Sequence, residues 1–111
     1  MKNLSKLSAK WQKILRLQDW EVDINFYRSR DFTNSDALEE CTFNINARDA
    51  VIKILDPIDF ETEYDIEEVV VHELLHLHFA QWTVDNNYIC PTSAEQGIDC
   101  IAQALIKLDK R

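Results

Sequence analysis

Leu4, Leu7, Trp11, Ile14 and Leu15 recur at helical spacing and predict an amphipathic helix over about residues 4–17. From Trp20 the period shortens to two. Trp20, Val22, Ile24 and Phe26 alternate with Glu21, Asp23 and Asn25, which predicts a half-buried strand over roughly 20–28. Residues 30–35 read as a loop. Cys41, Phe43 and Ile45 alternate with Thr42, Asn44 and Asn46 in a second strand, and a turn at 46–49 leads into a third, Ala50 to Leu55, stopped by Pro57.

Asp65 has the character of an N-cap, with Glu68 three residues on and Glu67 and Glu68 at the positive end of the helix dipole. The helix it opens, about 65–82, is apolar round much of its circumference: Ile66, Val69, Val70, Val71, Leu74, Leu75, Leu77 and Phe79. Such a helix is central and buried. After a loop containing Asp85-Asn86-Asn87, Ser93 and Gln96 open a last helix over about 93–109, with Ile98, Ile101, Ala102, Leu105 and Leu108 inward. The order helix, three strands, helix, helix is that of an α+β fold with one small sheet, and 111 residues make a single domain spanning 1–111.

The net charge of −8 is unevenly spread. Lys2, Lys6, Lys10, Lys13 and Arg16 make the first eighteen residues purely basic, a solvated face or one that docks on acidic parts of the chain. No Lys or Arg lies between Ile54 and Ile106, so nucleic acid is disfavoured as a partner. Asp56, Asp59, Glu61, Glu63, Asp65, Glu67, Glu68 and Asp85 flank the central helix and should make any cleft beside it attractive to cations. No apolar run is long enough for a bilayer, and the lysine-broken N-terminus lacks the apolar block of a secretory signal, so a cytoplasmic address with no membrane partner is expected. Cys41, Cys90 and Cys100 cannot all pair within one chain, and reduced, packed thiols are the simplest reading.

All three histidines fall in His72-Glu73-Leu74-Leu75-His76-Leu77-His78. On a helix, residues four apart stand one turn above each other, so His72 and His76 can both offer a ring nitrogen to one ion at about 2 Å. Glu73, about 100° round from His72, can reach a water beside that ion and take its proton. This H-E-x-x-H pattern points to zinc chemistry. His78 is about 200° from His76, cannot join the same ion, and is expected to be packed or partly exposed. A catalytic zinc needs a third protein ligand. Glu95, 19 residues after His76, is the candidate, with Asp99 one turn on and placed to accept the outer ring N–H of a ligand histidine.

H-E-x-x-H on one helix followed by E-x-x-x-D on the next resembles the gluzincins, the thermolysin-like clan of zinc peptidases, and above all their small members, the minigluzincins. The likeness extends over about residues 20–108, but its specific motifs occupy only 72–76 and 95–99. It implies a minimal zincin core: a small sheet, an active-site helix and a glutamate helix. It further implies Zn²⁺ on His72, His76 and Glu95, Glu73 as general base and Asp99 as support for a histidine. The sequence is also similar to small phage and mobile-element metallopeptidases. Larger gluzincins carry a further histidine for the oxyanion. This chain has none after His78, and Tyr88 could donate that hydrogen bond instead. The expected function is therefore zinc-dependent hydrolysis of a peptide or protein substrate, laid extended along the exposed edge of the sheet. The alternative is a non-catalytic zinc-binding interaction module of phage or mobile-element origin.

Overall fold

In the computed structural model, which describes residues 3–32, 39–59, 65–85 and 92–110, two helices pack on a three-stranded sheet and a third packs on one of those helices. Helix α1 (Leu4–Ile14) starts where the Asn3 side chain accepts the Lys6 N–H at 3.1 Å, a short polar side chain satisfying an otherwise orphaned donor. It buries Leu4, Ser8 and Trp11, a stripe at i, i+4 and i+7. The helix ends three residues before the expected boundary. Arg16 takes the left-handed conformation, with φ of 61°, and turns the chain toward β1 (Glu21–Tyr27). Ile14, expected inward, is 45% exposed.

Strand β2 (Glu39–Asn44) turns through 45–48 into β3 (Asp49–Leu55), with Arg48 at φ 54° and the Ala47 N–H held by the Asn44 side chain. β3 is the centre of the sheet. It pairs parallel with β1 and antiparallel with β2, so β2 forms an edge. The period-two pattern puts Ile24, Ala50, Ile52 and Ile54 under the helices, with Val22, Phe26, Cys41 and Phe43 packed against them. Glu21, Asp23, Asn25 and Asp49 face solvent on the other side.

Helix α2 (Ile66–Asp85) is the hub and touches α1, β2 and α3 (Thr92–Asp109). Asp65 caps it: its carboxylate accepts the Glu68 N–H at 3.2 Å and its carbonyl the Val69 N–H. Val70, Val71 and Leu74 are fully buried and Leu75 and Leu77 nearly so. Phe79, expected inward, is 43% exposed, and the helix runs three residues past its expected end. On α3 the inward residues are Ile98, Ala102 and Ile106, whereas Ile101 and Leu108, also expected inward, are 44% and 58% exposed. The reason is geometric. The arc of α3 facing α2 also carries Glu95 and Asp99, so an apolar count alone misplaces its centre.

The basic first helix docks on acidic neighbours at one point. Lys10 bonds Glu67 at 3.2 Å and Asp109 at 2.7 Å. No helix among the described residues is long and apolar enough to cross a membrane.

Candidate metal centre

An otherwise apolar, buried stretch of α2 carries His72 and Glu73, which are 6% and 3% exposed. Burying such groups costs free energy unless they find partners. The i, i+4 spacing brings His72 and His76 one above the other, with ring centres 4.9 Å apart and their Nε2 atoms 3.2 Å apart. On α3 the same spacing stacks Glu95 and Asp99 on the arc that faces them.

Glu95 straddles the two imidazoles: its Oε2 is 2.9 Å from His72 Nε2 and its Oε1 2.9 Å from His76 Nε2. On the far side of the His72 ring, Nδ1 meets Asp99 Oδ1 at 2.6 Å, and since a carboxylate only accepts, the ring N–H donates. His72, Glu73 and His76 form a group that could hold a metal ion, with one donor atom of each within 4.8 Å of the others. Of the two carboxylates, Glu95 lies closer to the ring nitrogens than Glu73, whose Oε1 is 4.0 Å from His72 Nε2.

The donor set fits a zinc ion on distance. Ligands about 2.0–2.1 Å from a tetrahedral ion sit roughly 3.3 Å from one another. The 3.2 Å between the histidine nitrogens and the 2.9 Å from each to Glu95 are close to that edge length. Burial also lowers the proton affinity of His76, favouring the neutral ring that a metal requires.

A cleft of about 230 Å³ opens beside this cluster, lined by Glu39, Cys41 and Phe43 from β2, Glu73 and His76 from α2, and Glu95 from α3. Glu73 is held well above the usual carboxylate range, first by burial and then by the charges of Glu39, Glu95 and Asp99. Its carboxylate makes no hydrogen bond among the described residues. Burial, with the Glu73 charge, pushes the Cys41 thiol up to about 12, so it stays protonated at neutral pH and packs as a small hydrophobe.

The structure brings His72, Glu73, His76, Glu95 and Asp99 together. Tyr88 and Cys90 lie outside the described residues. His78 points away, as its angle on the helix requires, and its Nε2 donates to the Leu15 carbonyl at 2.7 Å. The acids expected to colour the cleft are engaged elsewhere where they are described. Glu67 is buried against Trp11 and Lys10, Asp59 pairs with Arg28, Asp56 and Asp65 cap backbone N–H groups, and Glu68 accepts from Gln103. Sequence reasoning missed Glu39. Strand β2 begins two residues before Cys41, and a glutamate at the inward end of an alternation is invisible to a count of apolar residues. The residue two places before Cys41 on the same face was the available signal.

No family model, curated protein or solved structure matches the chain.

Proposed function

We propose that the protein is a zinc-dependent peptidase built on a minimal zincin-like core, with His72, His76 and Glu95 holding the ion. The observation that carries this reading is the convergence of three donor atoms at ligand spacing beside a buried carboxylate that opens on a cleft. A zinc ion held there supplies Lewis acidity, polarising the scissile carbonyl and acidifying a water.

The chain's own residues do the rest. Asp99 accepts the Nδ1–H of His72, which fixes the tautomer and leaves the unprotonated Nε2 on the edge facing Glu95, where it would ligate the ion. Glu73 takes the proton of the attacking water and delivers it to the leaving amine. Burial raises its proton affinity, the direction required of a group that accepts a proton and gives it back. Strand β2 lies at the sheet edge and along the cleft, which suits an extended peptide pairing main chain to main chain. The competing reading, a zinc site kept only for contact with a partner, gives Glu73 no task, since a structural site fills its fourth position with protein.

The test is cleavage of a quenched-fluorescent peptide library by zinc-loaded protein. Hydrolysis that a chelator stops, zinc restores and Glu73→Gln abolishes is the expected result. Library peptides left intact by zinc-loaded protein would refute the reading.

A further inference from the structure

The cleft is not chemically uniform along β2. Residues 39, 41 and 43 share one face of the strand, spaced about 7 Å apart. Cys41 and Phe43 are half-buried and packed on the core, so they give an apolar floor. Glu39 ends that floor with a half-buried carboxylate that makes no hydrogen bond or ion pair among the described residues.

The surroundings are short of positive charge. Glu39, Glu73 and Glu95 line one small cleft, with Asp99 behind His72, and no Lys or Arg is among the described residues that line it. No Lys or Arg occurs between Ile54 and Ile106, the stretch that supplies both site helices. Glu73, 97% shielded from solvent and without a hydrogen bond among the described residues, lines the same cavity. A half-buried carboxylate without a hydrogen bond or ion pair among the described residues is a costly arrangement, and a cation arriving with the ligand relieves it.

We propose that Glu39 sets the specificity of this cleft, receiving the ammonium or guanidinium head of a substrate lysine or arginine whose alkyl stem lies over Cys41 and Phe43. The four-carbon stem of lysine matches the spacing of neighbours on the strand face, and such stems pack on apolar surface while their heads reach a polar partner. The proposal rests on the peptidase reading for its substrate class, but not for its test.

The probe is a set of fluorescein-labelled alanine-based peptides in which a single lysine, norleucine or glutamate is walked along the chain. Binding is read by anisotropy on zinc-loaded protein carrying Glu73→Gln, so that no peptide is consumed. At one register the lysine peptide should bind about 10-fold to 100-fold tighter than its norleucine twin, the range of a charge-assisted hydrogen bond. Adding Glu39→Gln should erase that difference while leaving norleucine peptides unchanged. Adding Glu39→Lys should transfer the preference to glutamate. Equal binding of lysine and norleucine peptides, no binding of either, or a lysine preference that survives Glu39→Gln overturns the proposal. If the wild-type protein cleaves nothing but the preference appears and depends on Glu39, the peptidase reading fails and the cationic cleft stands.

Discussion

His72 gives its Nδ1–H to Asp99 at 2.6 Å, across the gap between α2 and α3, while the opposite edge of the same ring faces Glu95. One imidazole is thus fixed from both sides by carboxylates one helical turn apart. Asp99→Ala should leave His72 free to rotate and to change tautomer. Zinc affinity, measured by competition with a chromogenic chelator, should fall about 10-fold to 100-fold. Unchanged affinity would mean that Asp99 does not orient the ring.

Glu73 is buried without a hydrogen bond among the described residues, and burying such a group costs the fold stability. Glu73→Gln should keep zinc and abolish hydrolysis. It should also raise the stability of the metal-free protein at neutral pH, because a neutral amide never has to be buried as a charge. Chemical denaturation of both proteins after chelation checks this, and a less stable variant would contradict it.

Trp11 is wholly buried, and its indole N–H donates to Glu67 at 2.7 Å. Lys10 reaches the same oxygen at 3.2 Å from a more exposed position. Glu67→Ala strands the indole N–H in the core and should cost about 1–3 kcal/mol by urea denaturation. Lys10→Ala leaves the indole hydrogen bond in place and removes only the exposed partner of the Glu67 and Asp109 pairs, so it should cost less than Glu67→Ala. The reverse order would show that the ion pairs, rather than the buried hydrogen bond, join α1 to α2.

Arg28 holds the Asp59 carboxylate down at about 2, chiefly by hydrogen bonding, with the Ser29 N–H adding to it. A depressed carboxylate contributes stability above its unfolded value of about 4, which is lost as pH falls through its folded value. Wild type should therefore melt above Arg28→Ala at pH 6, with the gap closing between about pH 4 and pH 2. A gap constant across that range would mean the pair contributes nothing linked to protonation.

Much of this architecture was legible from periodicity. The switch from 3.6 to 2 at Trp20, and the capped apolar run after Asp65, locate α1, β1 and α2 to within a few residues. The facing pairs His72 and His76, Glu95 and Asp99 were legible for the same reason, since i, i+4 spacing is local geometry. What was hidden is non-local. The strand order β1-β3-β2 depends on pairing across 20 and more residues, and so does the identity of β2 as the edge beside the cleft. Glu39 was hidden because its significance comes from α2 packing over its strand, and Ile106 because Glu95 and Asp99 share its arc of α3. The acids 56–68 looked like cleft residues by sequence proximity, but Glu67 and Asp59 are turned to α1 and to Arg28.

The central claim is a zinc ion on two imidazoles and one carboxylate, and X-ray absorption at the zinc edge reads that shell directly. Protein purified with one equivalent of zinc should show only nitrogen and oxygen neighbours at about 2.0–2.2 Å, with the multiple-scattering signature of two imidazoles, and Glu95→Ala should remove one oxygen scatterer. A sulfur neighbour near 2.3 Å, which would place the ion on cysteine, or a shell without imidazole, would contradict the account.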